Sequence, residues 1–204
     1  MHLVGMLDSP YVRRVAISLR LMGLPFTHEA VSVFRHYDRF ASINPVVKAP
    51  TLVTDGGVTL MDSTLILDYA ECLAAPEKRL SPAAVDKQAR ALRLIGLALA
   101  ACEKSVQMVY ELNLRPAEKQ HQPWIDRVRG QMLAAYRLLE TEIGSGKTWV
   151  FGARPLQADV TVAVAWRFTQ SVLAEAVKAA AHPALAALSS RAEALPEFQA
   201  FPPA

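Results

Sequence analysis

The rhythm of apolar positions changes near residue 80. Before that point, short β-type runs alternate with helical ones. Leu3 and Val4 open an apolar strand. Val12, Val15, Ala16, Leu19 and Met22 then follow at i, i+3, i+4, i+7 and i+10, the spacing of an amphipathic helix, which Gly23 and Pro25 end. The run from Phe26 to Val33 fits a second strand. Thr51-Leu52-Val53-Thr54 and Val58-Thr59-Leu60 flank Asp55-Gly56-Gly57, which predicts a hairpin. Leu65, Ile66, Tyr69 and Leu73 mark another helix. The predicted order is β-α-β-(α)-β-β-α.

From about residue 84 the pattern is helical nearly throughout. Leu92, Ile95, Leu99, Cys102, Val106 and Val109 are spaced 3, 4, 3, 4, 3, which predicts one long apolar seam. Ile125, Val128, Met132, Ala135 and Leu139 repeat the spacing, and Pro116 and Pro123 bracket the break between the two helices. Such helices bury their faces on one another as a bundle. The stretch from Ala75 to Pro82 reads as a linker. Asp159-Val160-Thr161-Val162-Ala163-Val164-Ala165-Trp166 resists this pattern: it alternates and is β-branched, so propensity favours a strand. Periodicity alone leaves a fully buried helix equally open.

Composition narrows the classes. With 204 residues, 52% hydrophobic and 20% charged, the chain has material for a packed core and is not a disordered segment. Lys and Arg (22) barely outnumber Asp and Glu (19), and no run of five basic residues occurs, so no nucleic-acid partner is expected. Cys72 and Cys102 have no tight spacing and read as reduced thiols. No basic leader precedes a long apolar run, and no apolar run reaches the roughly 20 residues that span a bilayer. The expectation is a cytoplasmic protein without a membrane partner.

Several motif-like features carry no chemistry. Gly144-Ser145-Gly146-Lys147-Thr148 imitates the end of a phosphate-binding loop, but Thr141 stands where the first glycine is required and a helical pattern precedes it. A helix C-terminal turn is the preferred reading. The five histidines lack metal-ligand spacing, so no metal is expected, and no Gly-x-Ser-x-Gly elbow exists. Asp8-Ser9-Pro10-Tyr11-Val12-Arg13-Arg14-Val15 is more informative. Ser9 is a good N-cap and Pro10 a good first helical residue, so backbone N–H groups and a positive dipole end face outward after the first strand. Either Ser9 merely caps, or it helps hold an anion such as a thiolate. Asn44-Pro45-Val46-Val47-Lys48-Ala49-Pro50-Thr51-Leu52-Val53 follows, in which Pro50 restricts Ala49 to extended geometry. With a cis bond there, Ala49 would offer its N–H and C=O to an added peptide strand. Asp62-Ser63 opens the next helix, where an acid and a hydroxyl fit an α-amino and a carboxylate group, or simply a cap.

In this order and spacing, these stretches resemble the cytosolic glutathione S-transferase family, specifically its serine-type bacterial members. The matching patterns are Ser-Pro-x-x-Arg-Arg-Val, Asn-Pro-x-x-Lys-x-Pro-x-Leu, and an acid-Ser-x-x-Ile-x-x-Tyr in which Asp62 replaces the commoner glutamate. The resemblance covers essentially the whole chain. It implies an α+β N-terminal thioredoxin-like domain over 1–77, a linker about 75–83, and an all-α helical bundle domain over 84–204. It implies that Ser9 donates a hydrogen bond to the thiolate of glutathione, the co-substrate, and that no metal takes part. Ala49, before a cis Pro50, would pair with the cysteinyl group, and Asp62 and Ser63 with the γ-glutamyl end. Lys48 would lie near the carboxylate side, with His36, Arg35 and Arg39 as candidates for the glycine carboxylate. Tyr11 would border a second-substrate pocket, with Tyr110 and Trp166 lining it from the helical domain.

The resemblance further implies that residues 157–170 form a buried helix, with Leu156 standing where a capping hydroxyl is usual. The implied activity is transfer of glutathione to a small hydrophobic electrophile by a homodimer. The alternatives are a non-catalytic interaction module of the same fold, or a glutathione-dependent isomerase or reductase.

Overall fold

A computed structural model of the chain describes residues 1–146 and 148–203. These fall into two compact units: Met1–Ser81 joined by a C-terminal segment starting at Ala194, and Pro82–Glu193. In the first unit the order is β1 (His2–Val4), α1 (Pro10–Leu21), β2 (Thr27–Glu29), α2 (Tyr37–Ile43), β3 (Thr51–Val53), β4 (Thr59–Met61) and α3 (Ser63–Leu73). The sheet order is β2-β1-β3-β4. β1 and β2 are parallel, which demands a crossover, and α1 supplies it. β3 runs antiparallel to both β1 and β4, the latter through the expected hairpin with Gly57 at φ 82°.

Alternation along three-residue strands builds two apolar layers. Leu3 and Leu52 face Val12, Val15, Ala16 and Leu19 of α1 and Ile66, Leu67 and Ala70 of α3. Val4 points the other way, onto Val31 and Phe40. β2 is shorter than the strand expected from Phe26 to Val33, because the Val31 N–H bonds back to the Glu29 carbonyl in a tight turn. Gly5, at φ 140°, joins β1 to the approach of α1; a Cβ there would lie 2.6 Å from Val12 Cγ2. The close pass sets where the N-terminus of α1 stands relative to the sheet.

The second unit comprises α4 (Val85–Asn113), α5 (Gln122–Ile143), α6 (Gln157–Leu173) and α7 (Pro183–Glu193). The face predicted for α5 is the buried one: Ile125, Val128, Met132, Ala135 and Leu139 are all buried. The predicted seam of α4 lies at the edge of its buried face: Cys102 is buried, but Ile95, Leu99, Val106 and Val109 are only half-buried. Its buried face is Ala91, Leu94, Ala98, Ala101, Cys102, Ser105, Met108 and Glu111, rotated by about one residue, and Leu92 is 55% exposed. Small side chains let α4 approach α5 and α6, so close packing outweighs side-chain size in choosing the face.

The alternating segment is helical, inside α6, with every residue from Gln157 to Trp166 buried. Leu156 offers no capping side chain. Asp159 takes over: its carboxylate accepts the Leu156 N–H and the Val150 N–H, each at 2.9 Å. Tyr136, fully buried, donates to the Ala165 carbonyl at 3.1 Å and joins Thr169 and Ser105 in a chain of hydroxyls. Gly144, at φ 62°, ends α5, in keeping with the helix-terminal turn expected for the Gly-Ser-Gly-Lys-Thr stretch, of which Lys147 lies outside the described residues.

The C-terminal segment, with the one-turn helix α8 (Pro196–Gln199), belongs to the first unit, although the sequence pattern runs the helical domain through residue 204. Its aromatic side chains decide this. Phe198 is fully buried with the Arg13 guanidinium 5.6 Å from its ring, Arg13 Nε donates to the Phe201 carbonyl at 2.8 Å, and Phe201 stacks on Phe26.

Candidate functional site

Three segments of the first unit carry the predicted site: the N-termini of α1 and α3 and the loop entering β3. Ser9 is the N-cap of α1, with Pro10 at the first helical position. Its Oγ accepts the Val12 N–H at 3.4 Å, and among the described residues its hydroxyl hydrogen has no acceptor. The first turn of α1 contains no acidic residue, so no carboxylate of the helix itself neutralises the positive end of its dipole. A hydroxyl that already accepts one backbone N–H and whose hydrogen has no acceptor is set to donate to an anion.

The Ala49–Pro50 bond is cis, as the resemblance implies. Among the described residues neither the N–H nor the C=O of Ala49 has a hydrogen-bond partner, while Thr51 immediately beyond begins β3. Asp62 stands at φ 71°, a conformation rarely taken by a side-chain-bearing residue and costing about 1–3 kcal/mol. It caps α3 through Oδ1, which accepts the Thr64 N–H at 2.9 Å; Oδ2 faces Lys48 Nζ at 3.9 Å. Ser63 beside it is buried, and Arg14 Nη1 donates to Ser63 Oγ at 3.0 Å and to Thr64 Oγ1 at 3.3 Å. An acid, a buried hydroxyl and a guanidinium behind that hydroxyl thus meet at one helix start.

The structure separates the three candidates near α2. Arg39 is ion-paired with Glu29, and its guanidinium, with His2 adding to the effect, holds that carboxyl below the ordinary range. His36 Nδ1 accepts the Ser32 N–H at 3.3 Å, so the neutral ring carries its hydrogen on the exposed Nε2. Arg35 is exposed, and among the described residues its side chain has no partner. His36 and Arg35 therefore keep free donors, whereas Arg39 is committed.

Tyr11 is half-buried on α1. In the helical unit Tyr110 is 46% exposed on α4. Trp166 is a core side chain, 3% exposed, edge-on to Tyr136 at 5.3 Å and beside His182 at 5.4 Å; tight packing within α6 and its neighbours accounts for that position. Arg14 and Thr64 are the residues the sequence reading overlooks. Arg14 stands in the Ser-Pro-x-x-Arg-Arg-Val pattern with no role attached to it; its burial at 2% exposure is a property of the packed α1–α3 pair. Among the described residues no cluster of His, Cys, Asp or Glu is arranged to hold a metal, and no helix is long and apolar enough to cross a membrane.

Comparison with known proteins agrees in order with this architecture. Residues 3–78 match the glutathione S-transferase N-terminal domain and residues 122–191 the corresponding C-terminal domain. A maleylacetoacetate isomerase from Pseudomonas aeruginosa is 32% identical over 159 residues, covering 72% of this chain and 71% of that protein. A glutathione S-transferase from Methylobacterium radiotolerans, crystallised with glutathione sulfonate, superimposes with a TM-score of 0.90 at 28% identity, covering 98% and 93% of the two chains. A glutathione transferase family member from Pseudomonas fluorescens Pf-5 with bound glutathione gives a TM-score of 0.83 at 27% identity over 100% and 98%. The sheet unit with its capped helix starts and the helical unit that follows both have their counterparts there, and the chain belongs to the glutathione S-transferase family.

Proposed function

We propose that this protein is a glutathione transferase of the serine type, in which Ser9 holds the co-substrate as its thiolate. One observation carries the reading: the Ser9 hydroxyl accepts the Val12 N–H with one lone pair and keeps its hydrogen, at a helix start without an acid in its first turn. A free thiol has a pKa near 8.5, so only about 3% is thiolate at pH 7. One charge-assisted hydrogen bond and a helix dipole supply roughly 1.5–3 kcal/mol of preference for the anion, or about one to two units of pKa.

The remaining contacts follow from the donors and acceptors available. Ala49 N–H and C=O pair with the cysteinyl backbone as an added strand, beside Pro50. Asp62 takes the γ-glutamyl ammonium, and Ser63 its α-carboxylate. Lys48, with His36 or Arg35, answers the glycine carboxylate. The thiolate sulfur then forms a bond to an electrophilic carbon of a small apolar substrate; the electron pair leaves with the departing group or passes into the substrate. Tyr11 borders the electrophile in this reading. The working form is a homodimer in the cytoplasm; Leu65, 64% exposed on α3, and Leu92 on α4 are apolar side chains that a second copy would cover, and light scattering tests the dimer.

Ser9→Ala tests the centre of the reading. It is expected to keep glutathione affinity within about threefold while raising the pKa of the bound thiol by about one unit or more, followed by thiolate ultraviolet absorbance against pH. An unchanged titration removes Ser9 from the chemistry. A wild-type protein that does not bind immobilised glutathione points to a non-catalytic interaction module.

The identity with a maleylacetoacetate isomerase favours one second reading. There the thiolate adds to a carbon–carbon double bond, the bond rotates, and the thiolate leaves again. Glutathione is regenerated in an isomerase and consumed in a transferase, so its concentration during turnover separates the two.

A further inference from the structure

Ser63 has one hydrogen and two lone pairs to offer, and its partner across the α1–α3 contact is a guanidinium. A guanidinium only donates, so at 3.0 Å from Arg14 Nη1 the Ser63 oxygen must be the acceptor. The Ser63 hydrogen is thereby directed away from Arg14, and among the described residues no acceptor receives it. Thr64, whose Oγ1 accepts from the same Nη1 at 3.3 Å, is constrained in the same sense. A serine at a helix start ordinarily rotates its hydroxyl to suit whatever approaches. Here a side chain with 2% exposure fixes two adjacent hydroxyls as donors, and adds a positive charge behind them in surroundings that screen it poorly.

We infer that Arg14 is a positioning residue that makes the start of α3 selective for a carboxylate, an inference that rests on the glutathione reading above. The group recognised is the α-carboxylate of the γ-glutamyl residue. Asp62 Oδ2 lies on the same helix start, its partner Oδ1 being spent on the Thr64 N–H, and answers the adjacent ammonium. Two hydroxyl donors backed by a guanidinium and one carboxylate reproduce, in opposite charge, the zwitterionic head of an α-amino acid. Arg14 acts through Ser63 and Thr64 and need not touch the peptide. A simple brace between α1 and α3 would also bury an arginine at this position, but a brace has no reason to distinguish ligands that differ by one carboxylate.

That distinction is the test. Glutathione and its analogue without the α-carboxylate, γ-aminobutyryl-cysteinylglycine, are titrated calorimetrically into the full-length wild type, Arg14→Gln, Arg14→Lys and Ser63→Ala. Arg14→Gln is expected to weaken glutathione about tenfold or more and the analogue less than about threefold. Ser63→Ala is expected to show the same selectivity, and the double variant to lose less than the sum of the two. Arg14→Lys, which keeps the charge but not the fork, recovers part of the loss. In steady state the KM for glutathione rises by more than kcat falls.

Equal losses for both ligands, or additive losses in the double variant, overturn the role of Arg14 and leave a structural brace. Where Arg14→Gln does not fold, Arg14→Lys carries the test: a loss of about threefold confined to glutathione supports the role, and equal affinities overturn it. Wild-type protein that fails to bind glutathione overturns the proposed function together with this role. Wild type that binds it, with variants that do not discriminate, overturns the role alone.

Discussion

Helix starts are finished differently in the two units. In the helical unit, carboxylates serve the starts of α5, α6 and α7, while α4 begins without a side-chain cap. Asp159 takes the Leu156 N–H at the start of α6 and the Val150 N–H of the turn before it, Glu140 takes those of Ala184 and Leu185 at α7, and Glu111 takes the His121 N–H before α5. In the sheet unit, α1 starts on a neutral hydroxyl and α3 on an aspartate with one oxygen still facing outward. A start neutralised by the chain's own acid gains stability and has nothing left for a ligand; one left open gives up that gain and keeps a site for an anion. The same contrast holds for hydroxyls. Ser105, Thr169 and Tyr136 satisfy one another in the core, whereas the hydrogens of Ser9 and Ser63 find no acceptor among the described residues.

Converting one kind of start into the other breaks the comparison most severely. Ser9→Asp puts a carboxylate where the thiolate is expected, giving α1 a start like that of α6. Glutathione conjugation should fall about a hundredfold or more, because two anions then compete for one dipole, while thermal unfolding shows the fold unchanged or slightly more stable. In the opposite direction, Asp159→Ala leaves the buried Leu156 N–H and the half-buried Val150 N–H without acceptors. A loss of about 2–4 kcal/mol is expected in urea unfolding, with activity per folded molecule retained.

The pH dependence of Asp159 sharpens the contrast. Desolvation raises its pKa, and the N–H bonds from Val150 and Leu156 oppose the shift without cancelling it. A carboxyl whose folded pKa lies above its unfolded one adds stability that is full below the unfolded pKa and is lost as pH rises through the folded value. Wild type should therefore lose stability relative to Asp159→Asn as pH rises from about 4 toward neutrality, in paired urea titrations. A difference flat with pH removes the desolvation account.

The smallest effect is expected at Tyr136, whose hydroxyl burial pushes above its ordinary range. Tyr136→Phe breaks the bonds to Ala165 and Thr169 but leaves Ser105 to pair with Thr169, so about 1 kcal/mol is lost with no change in glutathione affinity.

Much of the site was legible in sequence because its parts are local. Ser9-Pro10 announces a cap, Asp55-Gly56-Gly57 a hairpin, and Asp62-Ser63 a helix start, each through the conformational habits of two or three neighbouring residues. Arg14 was not legible in this way: its role depends on Ser63 lying 49 positions further along the chain and on the packing that buries both. The face of α4 was misjudged for the same kind of reason. Spacing shows which residues share a stripe, but the stripe that is buried is the one that allows α5 and α6 to come close, and Ala91, Ala98 and Ala101 allow it better than Leu92.

The sequence by itself determined the order of elements, the change of texture near residue 80, and the cap and turn residues that mark the site. These are fixed by side-chain periodicity and backbone preference, which act over a few residues. Tertiary structure alone decided that Asp159 replaces the missing cap at Leu156, that the end of the chain returns to the sheet unit through Phe198 and Phe201, and that Arg14 sets the direction of the Ser63 hydroxyl. Each depends on which groups are left to pair once water has been excluded, and only the packed chain brings those groups together.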